Sequence, residues 1–167
     1  MRSLTWQSSM EIDNGTPSFF TSQVQFPQLM WMDLSHMDNL SKIWTDGPLE
    51  TLTFDCLREV KVLNCKSLEN LFPYWVATSL TQLGKLQVEC CEIEEIVASG
   101  DDTPCSNTTQ DLFPELTSLV LHDMPRLKSF CPNLLLNLPL LEELRVTHCE
   151  KLSMLSFGIH EQMGSKR

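Results

Sequence analysis

One spacing recurs five times along this chain: an apolar residue, two others, apolar, one other, apolar, two others, Cys or Met, then two further apolar positions three residues apart. Four copies keep it throughout. They are Leu29, Met32, Leu34, Met37, Leu40, Ile43; Leu57, Val60, Val62, Cys65, Leu68, Leu71; Leu116, Leu119, Leu121, Met124, Leu127, Phe130; and Leu141, Leu144, Val146, Cys149, Leu152, Leu155. A fifth, Leu83, Leu86, Val88, Cys91, Ile93, Ile96, is one residue short after its cysteine. The second and third apolar residues stand two apart, the period of a strand, so both face inward and the residue between them faces out. At the Cys or Met position the chain turns and returns along the other side. No unit of this size holds a core of its own, so the units must stack.

The pattern defines a leucine-rich-repeat array. The fold it predicts is an α/β solenoid, curved, with a parallel sheet on the concave face and irregular or short helical segments on the convex face. Repeats begin at Leu29, Leu57, Leu83, Leu116 and Leu141, at intervals of 28, 26, 33 and 25 residues. The long interval contains a polar, turn-rich insertion at 98–111 that reads as an exposed loop. After Pro73, a residue suited to a helix start, Val76, Leu80 and Leu83 share one helical face and predict a convex helix over 74–83. Residues 1–25 read as a loop and incomplete repeat, 26–157 as the repeat domain, and 158–167 as a polar tail. Neither end reads as a polar cap for the open core.

Twelve basic residues against 22 acidic ones give a net charge of −10. That balance argues against nucleic acid, whose phosphates require a basic surface. No apolar run reaches the roughly 18 to 20 residues of a membrane span, and Arg2 is followed by no apolar signal core. Seven scattered cysteines with no C-x-x-C spacing fit neither a disulfide framework nor a zinc ribbon. The expected location is cytoplasmic, where the acceptor patterns at Asn14, Asn39 and Asn107 carry no sugar.

The candidate protein-binding face consists of the outward strand positions: Trp31, Asp33 and Ser35; Glu59, Lys61 and Leu63; Lys85, Gln87 and Glu89; Ser118, Val120 and His122; Glu143, Arg145 and Thr147. Mixed charges with a few apolar side chains suit a protein partner, and Trp31 is the best anchor. Lys61 and Arg145 are expected to pair with acids on the same face. Cys90, His122, Asp123 and His148 fall near one sheet edge, but no spacing fixes a base or a ligand set, so no catalytic residue, metal or cofactor is assigned. Cys65, Cys91 and Cys149 share one template position and read as interior packing. The run Glu92, Glu94, Glu95 reads as a solvated face. Gly84-Lys85 is followed by Leu86, and Ser79 stands five residues before Gly84, so a phosphate-cradling loop is absent there.

Phe26-Pro27-Gln28-Leu29 and Phe113-Pro114-Glu115-Leu116 open repeats with F-P-x-L. Leu71-Phe72-Pro73, the run Glu92-Ile93-Glu94-Glu95-Ile96-Val97, and Leu127-Lys128-Ser129-Phe130-Cys131-Pro132 follow in order. This order resembles the C-terminal repeats of plant coiled-coil nucleotide-binding disease-resistance proteins, over about residues 24–157. The resemblance implies a non-enzymatic recognition or regulatory module of plant defence, inside the cell. Its implied partner is a pathogen effector, a modified host protein, or the nucleotide-binding domain of a receptor, and this chain carries no such domain. Two alternatives stay open: a substrate-receptor fragment of a ubiquitin ligase, and a truncated gene product without independent function.

Overall fold

The computed structural model describes residues 3–7, 28–44, 54–98, 109–132 and 134–153. Their elements run β1 (Ser3–Gln7), β2 (Trp31–Ser35), β3 (Glu59–Leu63), β4 (Asn70–Pro73), α1 (Tyr74–Ser79), β5 (Lys85–Glu89), β6 (Glu95–Ala98), β7 (Thr109–Gln110), β8 (Ser118–His122), β9 (Leu135–Leu136) and β10 (Glu143–Thr147). Six of them form one parallel sheet in the order β1-β2-β3-β5-β8-β10. The register matches the template position by position. Met32, Val60, Leu86, Leu119 and Leu144 align across five strands, as do Leu34, Val62, Val88, Leu121 and Val146. The described chain is therefore a leucine-rich-repeat solenoid.

The sheet holds one strand more than the template predicts. Ser3–Gln7 pairs with β2, with Leu4 opposite Met32 and Trp6 opposite Leu34. The signal was present as Met1, Leu4 and Trp6, but Ser9 and Gly15 stand where the template has Cys or Met and an apolar residue, so the copy breaks off after its strand.

Each repeat turns twice. The turn before each strand is closed by an N–H bonded to the carbonyl three residues earlier: Leu57 to Phe54, Leu116 to Phe113, Leu141 to Leu138. In Phe113-Pro114-Glu115-Leu116 and Leu138-Pro139-Leu140-Leu141 the proline takes the second position, where its fixed φ suits the turn. This is the physical content of the F-P-x-L opening. The turn after each strand rests on a left-handed residue: His36, Asn64, Cys90, Asp123 and His148 all have φ between 52° and 57°. Asn, Asp and His tolerate that region better than other side chains do. Their amides extend the ladder past the strand, His36 N–H to Leu63, Asn64 to Glu89, Cys90 to His122 and Asp123 to Thr147, at 2.9–3.0 Å.

The next residue then points into the core. There Cys65 Sγ donates to the Leu63 carbonyl at 3.4 Å, Cys91 to Glu89 at 3.2 Å and Cys149 to Thr147 at 3.4 Å. Cysteine at this position packs, as the template implies, and also ties the turn to the strand that precedes it. Met37 and Met124 fill the same place without a donor.

Outside the main sheet, the return segments are irregular chain with one short helix, as expected, and also carry short strands. β4 pairs with β6 and β7 with β9, both parallel. Helix α1 ends at Ser79, shorter than the predicted 74–83, because Leu80 to Leu83 form the turn that feeds β5. Thr109–Gln110, placed in the insertion from sequence, forms β7, and Ala98 closes β6; residues 99–108 lie outside the described residues. An aromatic row crosses the repeats. Trp44 meets Phe54 at 4.7 Å and Phe72 at 6.0 Å, Phe72 meets Phe113 at 5.8 Å, and Phe113 meets Phe130 at 5.9 Å between ring centroids. Trp44 Nε1–H donates to the Leu71 carbonyl at 2.7 Å, which satisfies the indole in the core.

Template positions in the first four complete repeats are buried, whereas Leu141, Leu144, Cys149 and Leu152 of the last are half-buried. That difference sets a graded expectation. Leu119→Asp places an unpaired charge in a fully buried site and should abolish cooperative thermal unfolding, a loss beyond about 4 kcal/mol. Leu144→Asp should leave a weakened transition, and Val120→Asp, on the outward face, should cost no more than about 1 kcal/mol. Equal damage from Val120→Asp would contradict the register.

Candidate protein-binding face

The outward positions form three rows across the sheet. The first runs Trp31, Glu59, Lys85, Ser118, Glu143; the second Asp33, Lys61, Gln87, Val120, Arg145; the third Ser35, Leu63, Glu89, His122, Thr147. Alternation along each strand fixes these side chains on one face, and the ladder fixes the spacing between rows. Trp31, at 42% exposure, is the most open aromatic of the face; Lys85, Glu143 and Arg145 are also exposed, and most of the others are half-buried. Ser35 is the exception. It is 6% exposed, a short side chain in register beside the larger Leu63, and it offers no contact surface to a partner.

Charge pairing within the face is selective. Arg145 donates to Glu143 at 2.8 Å, Ser118 Oγ donates to the same carboxylate at 2.7 Å, and Gln87 Nε2 donates to Glu89 at 2.6 Å. Lys61 does not pair as expected: it has no ion pair or side-chain hydrogen bond with any described residue, nor have Arg58 and Lys85. The sheet begins beside a groove of about 650 Å³ lined by Trp31, Arg58, Glu59, Gly84, Lys85 and Glu115, among others. Arg58 and Glu115 stand outside the strict strand positions, which is why the outward-position rule missed them.

The exit edge does bring together the residues that the sequence set side by side. His122 and His148 rings lie 5.3 Å apart, and His122 Nδ1 is 2.6 Å from Thr147 Oγ1. Cys90 sits between them and Asn64 along the ladder. Desolvation raises the Cys90 thiol above its ordinary pKa, and the Asp123 carboxylate adds to that, the reverse of what a nucleophile needs. Among the described residues no group of three or more His, Cys, Asp and Glu could share a metal ion. In the core, hydrogen bonding to Cys65 and then burial push the Cys91 thiol far up, and burial, with Glu95 behind it, pushes Cys131 up to about 11.

On the return side, Glu94 is paired with the following repeat. Lys128 Nζ and Arg126 each reach its carboxylate at 2.7 Å, and Arg126 lies 3.9 Å from Glu92. Glu92 and Glu94 of the acidic run thus join an inter-repeat ion-pair cluster on a solvent-exposed face. No described helix is long and apolar enough to cross a membrane.

A repeat solenoid with an open, mixed-charge sheet face defines the class. Comparison with known proteins then places it. A family model for the leucine-rich repeats of RPS2-like plant disease resistance proteins matches residues 8–92, so the chain belongs to that family. Two curated Arabidopsis thaliana proteins, each named a probable disease resistance protein, are similar. One is 30% identical over 145 residues, which cover 83% of this chain and 16% of the relative. The other is 31% identical over 117 residues, 68% of this chain and 12% of the relative. The chain therefore spans a small part of the length of these relatives. No solved structure matches it. Nothing in these comparisons supports the ubiquitin-ligase alternative.

Two outcomes follow from the electrostatics. Asp123→Asn keeps a side chain that tolerates the left-handed turn and removes the charge that raises Cys90, so Cys90 should alkylate faster with iodoacetamide at neutral pH. Mass-resolved labelling checks this. Glu94 is held below the usual carboxylate range by its bonds to Lys128 and Arg126. Its contribution is therefore present above the unfolded-state pKa and lost as pH falls through the lower folded value. Glu94→Gln should lower the melting temperature slightly at neutral pH and leave it unchanged in strong acid, read by thermal scans across pH.

Proposed function

We propose that this chain is a non-enzymatic recognition and regulatory segment of a cytoplasmic plant disease-resistance receptor, with the concave sheet face as its contact surface. That face would meet a pathogen effector, a host protein altered by one, or the receptor's own nucleotide-binding domain. The observation that carries this reading is the combination, at one face of the strand ladder, of exposed Trp31 with Arg58, Lys61 and Lys85, three cations that form no ion pair with a described residue. Interfaces concentrate energy in such aromatic and cationic anchors. Family membership supports the defence context. The rigid backbone matters too, because side chains held in fixed rows lose less freedom on binding.

The test uses the receptor that carries these repeats, expressed transiently in leaf tissue and scored for cell death with and without its trigger. Trp31→Ala and Lys61→Glu should either abolish the triggered response or release it without a trigger, the first outcome marking sensing and the second restraint. Lys151→Glu, an exposed change away from the sheet face, should behave as wild type. If both concave variants match wild type at equal protein levels, this face is not the contact surface.

A further inference from the structure

The template position that turns into the core carries sulfur in all five repeats, as Met37, Cys65, Cys91, Met124 and Cys149. At one step of this row both neighbours are thiols. Cys65 and Cys91 stand two residues beyond Leu63 and Glu89, which face each other in the register of β3 and β5. The Asn64 amide carries the ladder past that pair with its 3.0 Å bond to the Glu89 carbonyl. Both sulfurs point the same way, since each donates to the last carbonyl of its own strand, Leu63 at 3.4 Å and Glu89 at 3.2 Å. In-register neighbours of one sheet lie roughly 4.8 Å apart, within the roughly 4.4 to 6.8 Å between Cα atoms that a disulfide requires. The two side chains already hydrogen-bond to each other.

The rest of the row does not offer this. Cys149 lies beyond the Met124 repeat, two strand spacings or roughly 9.6 Å from Cys91, too far to bridge without backbone movement. Cys90 adjoins Cys91 in sequence, but it is half-buried and bonds to Asp123 at the turn. Met37 and Met124 show that packing at this position does not itself require a thiol. The two thiols are also unequal. The hydrogen bond from Cys91 lowers the Cys65 thiol, burial opposes it, and a backbone bond from Met37 adds to it. Cys91 is pushed far up, first by its bond to Cys65 and then by burial. Cys65 is therefore the sulfur that ionises and attacks.

We infer that Cys65 and Cys91 are a peroxide-sensitive pair that closes a disulfide between the repeats beginning at Leu57 and Leu83. The Cys65 thiolate attacks one oxygen of hydrogen peroxide and breaks the O–O bond, giving a sulfenic acid and, after protonation, one water. The Cys91 sulfur then displaces the hydroxyl as a second water, so two thiols and one peroxide yield one disulfide and two waters. Both residues are fully buried, and the peroxide reaches them through opening of the adjoining turn. The test treats the folded full chain with hydrogen peroxide, alkylates the remaining thiols after denaturation, and maps linked peptides by tandem mass spectrometry. The link from Cys65 to Cys91 should exceed any other described cysteine pair by at least about tenfold, a preference lost when the chain is unfolded in guanidinium before oxidation. Cys91→Ser should remove the link and Cys90→Ser should keep it. Cys65 and Cys91 both still alkylatable once Cys56 and Cys90 have oxidised would overturn the inference. So would a link to Cys65 that survives Cys91→Ser, or the same pairing preference in the unfolded chain.

Discussion

The backbone ladder between successive repeats is the constraint on which everything else in this protein depends. A solenoid has no closed core until its turns register, and each turn must bring the chain round without leaving buried peptide groups unpaired. Here both ends of the sheet are closed by bonds to the neighbouring repeat. At the start, the carbonyls of Met30, Arg58, Gly84 and Thr117 each accept two amides from the next repeat. At the exit, a left-handed residue donates one more bond beyond the strand and swings the following Cys or Met inward. The apolar template fills the space this frame leaves, and burial of those side chains stabilises the stack only while the frame holds its register.

The consequence for function is a face whose geometry is set by the core behind it. Rows of outward side chains repeat at the strand spacing, so a partner meets charges and rings at fixed intervals. Part of that surface is paired inside the chain, around Glu143, whereas Lys61 and Lys85 form no ion pair with a described residue.

The sequence made the repeat positions and the outward rows legible, because a period of two within a repeat of 25 to 33 residues leaves little freedom. What it hid has specific causes. The left-handed row uses His, Asn, Cys, Asp and His, residues with no common polarity or size, so its function was invisible although most of them favour that conformation. Strand β1 escaped because its repeat departs from the template after Trp6, and β7 and β9 are two residues long, too short for any periodicity. At the candidate face the placement of Trp31 and Lys61 was readable, but pairing was not. Arg145 finds Glu143 on its own strand, whereas Lys61 has acids nearby in register and meets none of them. Ser35 shows the remaining gap: an outward position is not an exposed one when the side chain is shorter than its neighbours.

The exit-edge bonds lock each repeat to the next, and amide hydrogen exchange of the folded chain measures them residue by residue. The amides of His36, Asn64, Cys90 and Asp123 should be protected to the same degree as the strands they extend, although each lies in a turn. Exchange at these four positions as fast as in an exposed loop, with the strands still protected, would contradict the claim that left-handed turns lock the repeats together.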